Sequence, residues 1–371
     1  MNRATKSLLI LFLISILMFL LVGCGGQKGA TGQQPSKQET QGEKKDTSAT
    51  KAEFTIRFGH ANEPTDASIF HVVALKFKEL TEKYSNGRIQ VEIYPSAQLG
   101  GEQEMVRNCQ LGTQEVTEVS IANLNPYSKS LYFLSLPYIF DSVEQGRAVA
   151  NNMMEQINQW AINEAGVRIL SFQDAGFRVL SNSKKPVKKL ADLQGLKIRI
   201  PQNPIWIATF KSWGIDPVPL DWAETFNALQ QKVVDGQENP YNVLVAQKFY
   251  EIQKYVTDID FIYQTSAILI SEKFFQTLPK DLQEAVIKAG KETQAFEWDL
   301  ADKSIESDKR TITEKGMVLL GRPEDFDEWV KRARSTWPQF YELMGNGDKE
   351  KGKQIIETVE KFKAEYEQKK K

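Results

Sequence analysis

The sequence predicts an α/β fold of two lobes with mixed sheets, a hinge between them and long C-terminal helices. Three observations predict it. A strand–helix–strand order opens the folded body, a second set of short strands follows residue 176, and a long helical tract begins at Asp281.

The elements follow in order. Phe54 to Phe58 alternates apolar with polar residues and ends at Gly59-His60, a strand running into a loop. Ile69 to Tyr84 carries Phe70, Val73, Ala74, Phe77 and Leu80 at helical spacing before Asn86-Gly87 turns the chain. Ile89 to Tyr94 alternates again and is closed by Pro95, so a crossover helix joins two strands of a parallel or mixed sheet. Val116 to Ala122 predicts a strand, Val143 to Glu164 a helix, and Val167 to Phe172 another strand. Gln173-Asp174-Ala175-Gly176 then leads into Phe177 to Leu180, a crossing between lobes. Lys197 to Ile200 predicts a strand, Pro204 to Trp213 and Trp222 to Lys232 helices, and Asp235-Gly236 a break. Val233 to Pro240 reads as a polar turn, Tyr241 to Ile252 as a helix, and Tyr263 to Ile270 as a return strand. The tail ends in a lysine-rich, solvated helix. Lobe I is therefore expected over 52–175 with 265–304 returning to it, and lobe II over 176–264 with 305–371 packing on it.

The N-terminus is a targeting segment. Arg3 and Lys6 precede an uninterrupted apolar run from Leu8 to Val22, too short for a comfortable membrane span of roughly 20 apolar residues. Leu21-Val22-Gly23-Cys24 matches a bacterial lipobox, which predicts a signal peptide over 1–23 and a lipid-modified Cys24. Residues 24–51 are dominated by Gln, Thr, Gly, Lys, Ser and Glu and are expected to form a flexible tether. The predicted location is extracytoplasmic, anchored by lipid to the outer face of the cell membrane, or periplasmic.

Lys and Arg number 47 against 48 Asp and Glu, so the chain has no basic excess of the kind that nucleic-acid binders carry. Cys109 is the second of only two cysteines, which leaves the mature body without an internal disulfide. His60 and His71 are the only histidines, too few for a histidine metal cluster, and neither a phosphate loop, a dinucleotide fingerprint nor a Gly-x-Ser-x-Gly elbow occurs. Neither a cofactor nor an enzymatic activity is expected.

Two stretches carry the functional signal. Gly195-Leu196-Lys197-Ile198-Arg199-Ile200-Pro201 reads as a strand whose Arg199 faces away from the side taken by Ile198 and Ile200. An arginine on a rigid element suits bidentate capture of a carboxylate. Val233 to Pro240 supplies the second stretch, with Gln237-Glu238-Asn239-Pro240 at its end. Together they resemble the signature of the solute-binding proteins of tripartite ATP-independent (TRAP) transporters, DctP type. Tyr94 to Gly100, Leu136 to Phe140 and Ala246 to Glu251 extend the resemblance over essentially the whole mature body.

That resemblance implies a two-lobed, type II periplasmic-binding-protein-like fold that closes on a small organic acid such as a C4-dicarboxylate or sugar acid. It implies delivery to TRAP membrane permease subunits for uptake driven by an ion gradient. It gives Arg199 the ligand carboxylate, Arg178 a second positive charge at the anion site, and Asn239 a side-chain hydrogen bond to the same carboxylate. His60, Asn62 and Glu63 after the first strand, Asn123 and Asn125 after the 116–122 strand, and Trp222 are the remaining contact candidates. Asp235 and Glu238 are expected to brace the turn. The competing reading is a binding lipoprotein of another importer, or of a chemoreceptor or sensor system.

Overall fold

The computed structural model describes residues 52–370; the targeting segment, Cys24 and the tether lie outside the described residues. The first sheet draws on five strands: β1 (Phe54–Gly59), β2 (Ile89–Tyr94), β3 (Val116–Ser120), β4 (Val167–Phe177) and, from later in the chain, β10 (Tyr263–Ser271). The second draws on β5 (Val179–Asn182), β6 (Ile198–Ile200), β7 (Val218–Pro219), β8 (Gly236–Asn239), β9 (Tyr255–Thr257) and β11 (Val318–Leu319). Their orders are β2-β1-β3-β10-β4 and β11-β9-β5-β8-β6-β7. In the first sheet β1 runs parallel to β2 and β3, while β10 is antiparallel to β3 and β4.

The helices in chain order are α1 (Ile69–Tyr84), α2 (Glu102–Leu111), α3 (Ile121–Leu124), α4 (Val143–Asn152), α5 (Met154–Ala165), α6 (Pro204–Ser212) and α7 (Trp222–Gln230). They continue with α8 (Tyr241–Ala246), α9 (Glu272–Phe275), α10 (Lys280–Glu314), α11 (Phe326–Arg334), α12 (Tyr341–Met344) and α13 (Lys349–Lys370). Local chemistry sets several ends. Asn203 caps α6 through its side chain and Pro204 occupies the first turn, while Gly112 and Gly166 end α2 and α5 in the left-handed region.

The chain passes between the sheets as a paired ribbon. Tyr263 lies opposite Phe177, the Arg178 N–H donates to the Ile262 carbonyl at 3.0 Å, and Leu180 lies opposite Thr257. Backbone pairing therefore reaches across the crossing from both sheets, interrupted on one strand by residues 258–261, which bulge out to bond Gly321 and Tyr138 instead. The helix α10 packs along β4 and α1 and also touches α8, then leads to β11.

Five expectations need correction. The 116–122 strand stops at Ser120, and Ile121–Leu124 coils instead, which turns Asn123 inward. The 143–164 helix breaks at Met153, next to Asn152, whose amide bonds back to the Ala148 carbonyl at 2.8 Å. Gln173 to Gly176 continues β4 past its expected end at Phe172, and Gly236–Asn239 is the buried strand β8 rather than a turn. Both stretches have polar side chains whose partners come from distant chain. Finally, α13 lies against α4, α12 and the turn Lys129–Ser135, so the last helix of the 305–371 segment rests on the chain of 129–152.

Apolar burial fills the spaces between layers. Trp206, Phe210, Trp213, Phe261 and Trp329 form one aromatic group, with edge-on contacts between Trp206 and Phe261 and between Phe210 and Trp213. Their indole N–H groups are satisfied: Trp206 donates to Ser135 O and Trp213 to Trp329 O, each at 3.0 Å. Close approach of α10 to the first sheet requires a glycine. A Cβ built on Gly290 would lie 2.4 Å from the Leu170 carbonyl oxygen. In an exposed helix, Gly→Ala stabilises by about 1 kcal/mol. Here the sign reverses: Gly290→Ala should cost about 1–3 kcal/mol in denaturant unfolding, and a gain in stability would contradict this packing.

Candidate functional site

A cleft of roughly 620 Å³, part of it open to solvent, lies between the two sheets. The second sheet and its helices contribute Arg178, Arg199, Trp222 and Asn239; β3, β4 and β10 of the first contribute Glu118, Gln173 and Ser266. Asn62 from the loop after β1, Glu102 at the start of α2, Asn123 of α3 and Glu297 of α10 complete the polar part of the wall. Ile69, Phe70, Val73 and Val243 make it apolar on one side.

The two arginines are in different electrostatic situations. Arg178 sits on the ribbon between the sheets, 3 % exposed, with its guanidinium 4.8 Å from the Trp206 ring centre. It forms a short ion pair with Glu238 through Nε, a second bond from Nη2 to the same carboxylate at 3.1 Å, and one to the Glu238 carbonyl at 2.6 Å. Nη1 donates to Gln264 Oε1. Its positive charge is already matched inside the protein.

Arg199 is 2 % exposed, and no carboxylate lies within ion-pair distance of it among the described residues. Its Nε and Nη2 donate to the Leu220 carbonyl at 3.0 and 2.7 Å, which fixes the plane of the guanidinium beside Trp222. Burial pulls Arg199 down to about 10; Glu238, Glu102 and Asp221 oppose the fall, while Arg178 adds to it. A buried guanidinium with only a carbonyl as partner keeps N–H groups that can donate to an anion. Asn239, at the end of β8, donates to Gln237 Oε1 at 2.5 Å, and Gln237 in turn donates to Ser181 at 2.8 Å. This chain of amides holds the Asn239 side chain in the cleft wall.

The opposite wall is acidic. Glu102 accepts from the Ser120 N–H at 3.3 Å and from the Asn123 side-chain amide. Burial pushes its carboxyl up to about 7, against those two hydrogen bonds and the charges of Arg199 and Arg178. Burial pushes Glu118 and Glu297 well above the carboxylate range, and Glu297 adds its charge to the rise at Glu118. Glu297 accepts from the Asp174 N–H at 3.2 Å, while Asp174 is itself held by Arg147 and by the Tyr263 hydroxyl at 2.8 Å.

Of the residues expected from sequence, Arg199, Arg178, Asn239, Asn62, Asn123 and Trp222 all line this cleft. His60 does not. It is fully buried beneath Asn62, accepting from the Asn62 N–H at 3.3 Å and lying 3.2 Å from His71 through the other ring nitrogen. The backbone turn after β1 presents Asn62 and tucks His60 under it. Glu63 lies outside the cleft, bonded to Ser96 at 3.2 Å, and Asn125 instead contacts Asn203 at 3.3 Å. Asp235 braces the start of β8, as expected, by accepting from the Lys197 N–H at 2.9 Å. Glu238 does not brace a turn; it pairs with Arg178. Sequence reasoning missed Glu102, Glu118, Gln173, Gln264 and Glu297. Only Glu118, inside an apolar strand pattern, carried a local signal.

The chain is similar to known proteins over most of its length. Residues 58–343 match the family described as bacterial extracellular solute-binding protein, family 7 (DctP). A solute-binding protein of Roseobacter denitrificans is 34% identical over 270 residues, covering 72% of this chain and 82% of that protein. Among solved structures, a TRAP periplasmic solute-binding protein of the same organism with bound L-galactonate superposes with a TM-score of 0.74 at 30% identity, covering 84% of this chain and 99% of that one. One from Sulfurospirillum deleyianum with bound succinate gives 0.76 at 30% identity, over 83% and 99%.

The acidic wall makes stability depend on pH. In the fold Glu102 keeps its proton up to about pH 7, whereas unfolded it releases it near 4.5. Its contribution is therefore complete below pH 4.5 and is lost as pH rises through 7, on the order of 2–3 kcal/mol. His60, drawn down to about 4 mainly by burial, works in the opposite direction below pH 6.5 in both wild type and variant. The ligand-free unfolding midpoint of Glu102→Gln, relative to wild type, should therefore rise between pH 5 and pH 8. A difference independent of pH would contradict the raised carboxyl.

Proposed function

This chain belongs to family 7 of the bacterial extracellular solute-binding proteins, the solute-binding component of TRAP transporters, and we propose from that premise that it captures a small organic acid anion and hands it to a membrane permease for uptake. The observation that carries the proposal is Arg199: buried, oriented by Leu220 and without a carboxylate partner among the described residues. A ligand carboxylate on its free N–H groups would supply the missing charge in a site shielded from water, where charge-assisted bonds are strong. Asn239 adds a neutral donor beside it. Arg178 acts at one remove, holding Glu238 and Gln264 in place rather than receiving the ligand's charge. The bound L-galactonate and succinate of the two relatives support an organic acid as the class. The chain works as a carrier rather than a catalyst.

Enclosure follows from the two walls. Ligand contacts on both sheets favour the closed state over the open one, and only such a difference in affinity shifts the equilibrium. The permease would then meet a surface composed of both lobes. The Leu21–Cys24 motif supports a lipid anchor, with the following segment as a tether.

Two experiments test these readings. Arg199→Ala should weaken binding of the acid retained by the purified protein by about 100-fold or more in calorimetry, with the circular dichroism spectrum unchanged; wild-type affinity in that variant removes the central claim. Cys24→Ala, expressed in a bacterial host, should move the protein from the membrane fraction to the soluble exported fraction. Membrane retention of that variant would rule out the lipid anchor.

A further inference from the structure

Beyond the anion-binding group, the cleft states what else its ligand must present. Among the described residues, three buried acceptor oxygens that line it have no hydrogen-bond partner: Glu118 Oε2, Gln173 Oε1 and Glu297 Oε1. All three residues are at least 98 % buried, and all belong to the wall built from β3, β4 and α10. Leaving such oxygens without donors is costly, so a ligand that fills the cleft must bring donors to them.

The charge inventory narrows those donors. Arg178 is matched by Glu238, and Asp174 by Arg147, so these pairs cancel. What remains facing the cleft among the described residues is one cation, Arg199, with the carboxyls of Glu102, Glu118 and Glu297, which burial shifts toward their neutral forms. A second carboxylate on the ligand would find no second unpaired cation in the cleft among the described residues, and as an acceptor only it could bring no donor to Gln173 Oε1. A hydroxyl offers a donor with no added charge. The raised carboxyls of Glu118 and Glu297 favour neutral partners in the same sense, since a protonated acid exchanges hydrogen bonds with hydroxyls in both directions.

Resting on the reading that Arg199 holds a carboxylate, we propose that the ligand is a polyhydroxylated monocarboxylate, a sugar acid whose hydroxyls donate to Glu118, Gln173 and Glu297. The carboxylate lies at Arg199 and Asn239, and the hydroxylated chain extends across the cleft to the acidic wall. Ile69, Phe70 and Val73 cover its C–H faces. A site built around unpaired polar groups rejects an analogue lacking the matching hydroxyls more strongly than an apolar pocket discriminates size.

The test is calorimetry on the purified, ligand-stripped full chain with L-galactonate, D-gluconate, succinate, hexanoate and a zwitterionic amino acid, L-glutamine. At least one hexonate should bind about 100-fold or more tightly than succinate, hexanoate and glutamine. Glu118→Gln and Glu297→Gln should each weaken that hexonate about 10-fold or more. Succinate or glutamine binding more tightly than both hexonates, with that binding lost in Arg199→Ala, would overturn the ligand class and keep the anion site. Hexonate affinity unchanged in both glutamate variants would also overturn it. If none of the five binds, the anion-carrier reading itself fails, and the ligand class with it.

Discussion

The buried ion pair between Arg178 and Glu238 is the interaction on which the site depends. Such a pair is weak as a source of stability, because burying two charges offsets most of their attraction; removing one partner nonetheless costs about 3–5 kcal/mol. Its importance here is positional. Arg178 sits on the ribbon between the sheets and Glu238 in the middle of β8, so the pair ties the crossing to the strand that carries Asn239. It also satisfies one of two arginines in a confined space. The other, Arg199, is left with a backbone carbonyl and a net positive charge. Selectivity between two nearby guanidinium groups thus comes from the placement of a single glutamate.

Much of the fold was legible because period and punctuation agree with it. The alternation in Phe54–Phe58 and Ile89–Tyr94, and the helical spacing between them, reflect half-buried elements whose pattern is local. The failures share a cause. Gln173–Gly176 and Gly236–Asn239 are polar, so they read as connections, yet both are buried strands. Their polar groups are paired by chain far away: Glu238 by Arg178, Gln237 by Ser181, Asp174 by Arg147 and Tyr263. Such pairing overrides the local preference and leaves no trace in a short window.

The candidate site was legible on one wall only. Arg199 and Asn239 stand in a compact motif, and Asn62, Asn123 and Trp222 follow strands or open a helix, where cleft residues accumulate. The acidic wall was not visible as a wall, and only Glu118, among the apolar residues of β3, left a local sign of it. Glu102, Glu118 and Glu297 come from a helix start, a strand and the middle of a 35-residue helix, and an acidic residue in any of those settings is ordinarily solvated. Only the assembled tertiary structure removes water from all three. His60 shows the converse: a polar residue at a strand end whose loop turns it inward, against His71.

The pairing of the two connecting strands on either side of the bulge at residues 258–261 has a mechanical consequence. Two separate single-stranded links would let the sheets twist, shear and slide past one another. A hydrogen-bonded strip of two strands resists stretching and in-plane bending, because either would break its ladder, and yields most readily to flexing perpendicular to its face. Relative motion of the two walls is thereby reduced to something near a single angular coordinate, like a strap hinge. The anion group and the acidic wall then return to the same alignment each time the angle closes, with α10 lying along both sides of the crossing.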